Sequence, residues 1–398
     1  SEERKKLQCN LKLRKMPLSP NQLLLISVLI VSCLASAVYA KAISNSSDSF
    51  EMSEPATDAH VPWPGDGWLI RMAKNSANSF THEGQVYTSA YEAILDRDPA
   101  SNPVKNFNAF VNSFVIPHNI SIQIVKTFGT FWGHYVIGYL RNFFAGCIVY
   151  YGTGFFFHYH CYIHPRSKEI FKDRKRPSNE VIFDQIKLAQ ASLFIYVFLP
   201  AISEYVIEEG YTKCYYTLEE IGGFVPYLIN MIAYFALVEI GIYWMHRTLH
   251  TNKFLYKHIH MPHHKYSRPE TLTPWASIAF HPLDGMLQAC PYVLCLPIVP
   301  CHYLTHTAMI FFTAIWATYI HDSMDFNIDP IMGSKYHTIH HTHYIYNYGQ
   351  MLTFCDRIWG TLRVPVGKTG VTEGPNKVKL LPAKKGWFGN GRGKVKSV

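Results

Sequence analysis

Between Met286 and Ile320 the chain runs for 35 residues with no Asp, Glu, Lys or Arg, and Pro291, Pro297 and Pro300 sit near the middle of that run. A stretch this apolar is long enough to enter a bilayer. Each proline, however, removes a backbone donor and crowds the preceding turn, so one continuous helix is excluded. Two shorter helices folded into a hairpin meet both conditions. Further apolar regions lie at about 142–160, 187–206 and 226–245, each near the ~20 residues that one crossing needs. The expected fold is an all-α integral membrane protein with four to five transmembrane helices.

Composition agrees. Charged residues make up only 16%, while Tyr and Phe number 26 and 25, a mix suited to apolar cores and membrane interfaces. The net charge of +9 gathers in the 161–187 loop and in the tail after Gly367, which suits anionic lipid headgroups better than nucleic acid. The nine cysteines contain no CxxC pair, which argues against both a disulfide framework and a thiolate metal site.

Loop charges set an orientation. Residues 161–187 hold seven Lys or Arg, and 207–225 hold four Glu and one Lys, so the first loop is expected in the cytosol and the second in the lumen. One span and one hairpin later, His246 and His321 return to the cytosolic side; a single crossing at 286–320 would have separated them. Residues 1–40 read as a signal peptide or signal anchor, with Met16 a candidate start. Residues 41–135 are polar, without sustained periodicity, and are expected to be luminal and loosely structured. Asn45 and Asn119 there open glycosylation sequons. The principal domain is expected at 136–365, followed by a basic cytosolic tail at 366–398.

Histidine is the unusual residue: there are 21, and fourteen fall between His246 and His343. His246 and His250 form an HxxxH pair. His260, His263 and His264 form an HxxHH triplet, with His258 beside it, and His337, His340 and His341 form a second. Residues at i, i+3 and i+4 share a helix face, so each group can present neutral imidazoles to a metal. Pro262 interrupts the first triplet and is tolerated where a helix begins. Eight imidazoles exceed the four ligands of one tetrahedral zinc, which points to two metals.

These boxes, in this order, resemble the fatty acid hydroxylase superfamily of membrane di-iron oxygenases. More narrowly, "YLRNFFAG", "EYVIEEGYTKCY", "EIGIYWMHRTLH", "AFHPLDG", "HTIHHTHYIYNYGQ" and "CDRIWGT" are similar to the sterol C-5 desaturases (lathosterol oxidases), over about 135 to 365. The resemblance implies that His246, His250, His260, His263, His264, His337, His340 and His341 ligate two iron ions, with zinc an alternative in purified protein. It also implies His321 as a ninth ligand, all within a cytosolic helical cap. Where relatives carry a second histidine four residues after that position, this chain has Asp325, an alternative ligand. Asp322 and His281 are implied as ligands or as neighbours of the centre. His302, His306 and His343 are read as structural.

The resemblance further implies a delta-7 sterol substrate drawn from the bilayer, dioxygen, and a 5,7-diene product. No HPGG haem motif and no GxGxxG loop occurs, so cytochrome b5 and an NAD(P)H-dependent reductase are the implied partners. The closing KxKxx pattern at Lys394 and Lys396 matches a retrieval signal for the endoplasmic reticulum membrane. The same boxes also serve C-4 methylsterol oxidases and lipid hydroxylases. A zinc-binding membrane transporter or structural protein is the alternative outside enzymes.

Overall fold

The computed structural model describes residues 80–82, 85–87, 90, 102–165, 167–172, 175–268, 270–322 and 329–365. The expected leader at 1–40, Asn45, Asp325 and the basic tail at 366–398 lie outside the described residues. The long helices are α1 (Pro103–Val115), α2 (His118–His158), α3 (Asn179–Tyr196), α4 (Phe198–Glu208), α5 (Phe224–Thr251), α6 (Pro282–Leu294), α7 (Tyr303–Ile320) and α8 (Ser334–His343), with a short α9 (Phe354–Ile358). Gly129, with a φ of 76°, kinks α2. Among the described residues, two helical stretches are long and apolar enough to cross a membrane: Asn179–Glu208, which joins α3 and α4, and Phe224–Thr251, which is α5.

The 286–320 run is broken as the prolines require. Helix α6 stops at Leu294, Pro297 and Pro300 occupy the connection, and α7 begins at Tyr303. Pro291 is accommodated inside α6, where its ring lies against Gly241 of α5. Because α6 leaves and α7 returns, the start of one and the end of the other meet at the same end of the molecule. Helix α2 packs along α7, and α5 along α6. The main apolar core takes Tyr234, Val238 and Ile242 from one stripe of α5 and packs them on Tyr292, Leu296 and Tyr303.

The fold is mostly helical, as expected, with two short strand pairs added: Phe80–His82 pairs antiparallel with Gln85–Tyr87, and Cys214–Tyr215 pairs parallel with Cys301–His302, tying the segment after α4 to the one before α7. One expectation is corrected. The 41–135 stretch is not loose throughout. From Pro103 it is helical, with Asn102 capping α1 by accepting from the Val104 amide. Its period is masked by a partial inversion: Lys105, Asn108 and Asn112 face inward beside Val104 and Ala109, while Phe114 is exposed.

That inversion recurs across the helices. Arg141, Gln185, Ser192, Ser203, Glu208 and Glu239 are buried, whereas Ile148, Phe194, Ile232 and Ile298 are each more than half exposed. Such an apolar belt around an interior that also holds polar groups suits lipid and would be costly in water. The inward polar groups satisfy one another. Asn108 Nδ2 donates to Glu208 at 2.6 Å, His134 meets the other Glu208 oxygen at 2.8 Å, Tyr303 donates to Asn108 at 2.6 Å, and Arg141 pairs with Glu204.

Removing one partner of a buried ion pair costs about 3–5 kcal/mol, whereas replacing both with apolar residues is often neutral. Arg141→Met should therefore sharply lower the thermal unfolding midpoint in detergent, followed by circular dichroism. Adding Glu204→Met should restore most of the loss.

Candidate metal centre

Four segments deliver the histidines. Helix α5 carries His246 and His250 one turn apart on the stripe that begins with Val238 and Ile242. A π turn over Tyr256–His260 ends on His260, and after Met261 a 3-10 turn over His263–Tyr266 begins behind Pro262. His321 follows the last residue of α7, and α8 carries His337, His340 and His341.

The nine histidines converge in two groups, in each of which one ring nitrogen per residue lies within 4.8 Å of the others: His246, His250, His260, His264 and His340 in one, and His263, His321, His337 and His341 in the other. Each triplet is divided between the groups. On α8 the i and i+4 members share a helix face and go together, while the i+3 member is turned by about 100° from i+4; the first triplet divides the same way across its π and 3-10 turns. His260 and His264 thus join the first group and His263 the second; His337 and His341 join the second and His340 the first.

Nε2 of His250 stands 2.9 Å from that of His260, 3.1 Å from that of His264 and 3.2 Å from that of His340. In the other group His321 lies 3.3 Å from His263 and 3.1 Å from His337, and His337 lies 3.1 Å from His341. Hydrogen bonding does not account for these approaches. A neutral imidazole has one N–H, and in several rings it is committed elsewhere. Nδ1 of His246 donates to the Tyr348 carbonyl at 3.0 Å, His340 to that of Tyr346 at 2.8 Å, His321 to that of Ala317 at 2.6 Å, and His260 to Asp284 Oδ2 at 2.8 Å.

Their Nε2 atoms are consequently lone pairs pointed at one another, and that of His246 is buried with no partner. Nitrogen ligands at about 2.0–2.1 Å from an ion lie about 2.9 Å apart in an octahedron and about 3.4 Å apart in a tetrahedron. The observed spacings fall in that window, so the residues fit two metal ions.

Burial, reinforced by neighbouring imidazoles, holds His263, His264, His337 and His341 well below the ordinary histidine value. Burial also takes His321 down to about 4 and His340 down to about 3. Neutral rings are the form a metal binds.

The supporting contacts explain the segment after α8. Asp356 accepts the Tyr348 and Gly349 amides at 2.8 Å each and the Thr361 hydroxyl at 2.6 Å, although burial lifts its carboxyl to about 6. Glu239, two turns before His246 on α5, accepts the Met351 amide at 3.1 Å and the Leu352 amide at 3.1 Å. These carboxylates fix the loop whose carbonyls orient His246 and His340. Gly349 is required there, since a Cβ would lie 2.3 Å from the Leu352 oxygen.

Several sequence candidates stand elsewhere. His281 caps α6 by accepting from the Leu283 amide, and Asp322 is buried beside His321; neither belongs to the two groups. Asn119 is exposed in the first turn of α2. His306 is held between Ser203 and Tyr234, His302 contacts the Tyr216 carbonyl, and His343 lies outside both groups. Asp284 was missed as a residue, although it stands in the "AFHPLDG" segment; its spacing from His260 carries no periodic signal.

Below the centre lies a cavity of about 130 Å³, bounded by His246, His263, His321 and His337 and otherwise walled mainly by apolar groups such as Ile242, Phe280 and Ile310. Three histidines of the four-membered group face it, against one of the five-membered group.

Comparisons with known proteins find a family model and named relatives. Residues 231–361 match the fatty acid hydroxylase family model. A Nicotiana tabacum protein named Delta(7)-sterol-C5(6)-desaturase is 44% identical over 240 residues, covering 60% of this chain and 88% of the relative. The chain belongs to the fatty acid hydroxylase family. An Arabidopsis thaliana member, provisionally named Delta(7)-sterol-C5(6)-desaturase 2, is 41% identical over 67% of this chain and 94% of its own length. The rat lathosterol oxidase is 32% identical over 66% and 80% respectively. No solved structure matches.

As a member of this family the chain should need its outer supports to retain metal. Asp284→Ala is expected to weaken metal retention about 10–100-fold, read as metal content after dialysis against a graded chelator series. His343→Ala should leave the content at the wild-type level.

Proposed function

We propose that this chain is a membrane-bound, dioxygen-dependent sterol C-5 desaturase that converts a delta-7 sterol into the 5,7-diene. The observation that carries this reading is the convergence of nine imidazoles at the mouth of an apolar cavity, in a chain whose relatives bear that name. Two iron ions are the proposed cofactors, with zinc an alternative in purified protein. When bound, iron supplies the redox chemistry with dioxygen that removal of hydrogen from an unactivated carbon requires.

The chain's own part is placement and dryness. The nine histidines are the proposed ligands, and the Asp284 carboxylate and the Tyr346 and Tyr348 carbonyls hold three of them with Nε2 aimed inward. Ile242, Phe280 and Ile310 line the proposed substrate space and exclude water. Loss of two hydrogens gives two electrons, and reduction of dioxygen to two waters needs two more with two protons. Cytochrome b5 and its NAD(P)H-dependent reductase are the proposed source. The exposed Lys253, Lys257 and Lys265 around the His260–His264 turns suit an acidic carrier.

The proposed setting is the endoplasmic reticulum membrane, with four to five spans and the histidine cap in the cytosol. Helix α5, at 28 residues, rises about 42 Å against a hydrocarbon core of about 30 Å, so its last two turns can carry His246 and His250 clear of the lipid. The proposed domain limits are 136–365 for the catalytic part, preceded by a luminal region with glycosylation at Asn45 and Asn119.

Expression in a desaturase-deficient yeast tests the function. The wild type is expected to restore 5,7-diene sterols, seen by mass spectrometry and by diene absorbance, and His263→Ala is expected to abolish them. A hydroxylated or C-4-oxidised product would assign the chain to another reaction of its family. Purified protein with tightly bound zinc and no oxygen consumption on sterol and reductant would favour a non-enzymatic role.

A further inference from the structure

Asp284 and Gln288 lie one turn apart on α6, with Gln288 Nε2 at 2.8 Å from Asp284 Oδ1. The other oxygen of the same carboxylate holds His260. The carboxylate thus takes His260 on one oxygen and the Gln288 NH2 group on the other, which orients the amide: Oε1 points away from Asp284. Among the described residues no donor reaches that Oε1, and Gln288 forms part of the cavity wall below the metal centre.

Other polar groups on that wall are engaged with protein. Ser203 is bonded to His306 at 2.8 Å, Ser277 to Thr318 at 3.3 Å, and Tyr292 to Thr313. The Gln350 and Tyr196 side chains also line the cavity, but no side-chain hydrogen bond fixes either. Gln288 is therefore the wall residue whose acceptor is oriented in advance. A preset acceptor in an otherwise apolar cavity calls for a ligand with one well-placed donor.

We propose that Gln288 Oε1 accepts the hydrogen bond of the substrate's 3-hydroxyl, making it a specificity-determining contact. The inference rests on the desaturase reading above. In a sterol the hydroxyl oxygen stands only three bonds from C-5, so the group that takes it must sit at the metal end of the cavity. Gln288 meets that condition, since a single carboxylate separates its amide from a histidine of the five-membered group. The side chain of the sterol then extends into the apolar remainder, toward a neighbouring cavity of about 100 Å³ that shares Tyr196, Pro200 and Ile310 with the first.

Membranes carrying the full chain are assayed with a delta-7 sterol and with its 3-O-methyl ether, which keeps the rings and loses the donor. The wild type is expected to favour the free alcohol by about 10-fold in kcat/KM, the scale of one oriented hydrogen bond in a dry site. Gln288→Leu is expected to erase that preference through KM for the alcohol, with bound metal unchanged. A variant that retains the wild-type preference overturns the assignment, as does a wild type indifferent to the ether. Metal loss from Gln288→Leu also overturns it, since the side chain would then serve His260 through Asp284. A wild type that forms no diene from the alcohol overturns the desaturase reading itself.

Discussion

Nine imidazoles are brought to about van der Waals contact, and the inward lone pairs of those whose Nδ1 proton is committed elsewhere repel their neighbours; the carbonyls and the carboxylate behind them hold them there. A buried neutral histidine ordinarily finds one donor and one acceptor. Here the Nδ1 protons of His246, His260, His321 and His340 are drawn outward by carbonyls and a carboxylate, leaving Nε2 to face like atoms. Positive charge between the rings turns that repulsion into binding. The final packing of α5, α7, α8 and the turns around Pro262 is thereby coupled to metal.

The boxes have an economy that spacing alone does not disclose. Each HxxHH triplet contributes two rings to one group and one ring to the other, and the two triplets do so in opposite senses. The i+3 histidine of each box, His263 in one and His340 in the other, acts as a bridge in the covalent chain, so the two groups are tied together through a single turn. His246 and His250 then enlarge one group and His321 the other, which leaves five rings against four. The less crowded group supplies three of the four histidines that border the cavity, where substrate space is available.

Much of this was legible in the sequence because the signals were periodic. The i, i+3 and i+4 histidines announced their shared faces, and Pro297 and Pro300 announced the break between α6 and α7. What stayed hidden was aperiodic or inverted. Asp284 reaches His260 across 24 residues of chain, and the Tyr346 and Tyr348 carbonyls are backbone atoms that any side chain could carry. The role of Gly349 depends on one close approach to Leu352. Helix α1 was missed because its inward face bears Lys105, Asn108 and Asn112, a pattern that reads as loop when the interior is assumed to be apolar.

The inverted distribution of polarity also changes what evolution can vary. In lipid, moving an aliphatic side chain from the outside of a helix to its inside gains little, since both surroundings are hydrocarbon-like. Positions such as Ile148, Phe194 and Ile232 need only remain greasy, and drift among Leu, Ile, Phe and Val is expected to be nearly silent. Ser203, Gln185, Asn108 and Arg141 have no such freedom, because each has specific partners and no water to replace them. In this chain the buried polar residues are expected to tolerate the least change, and the exposed apolar residues the most.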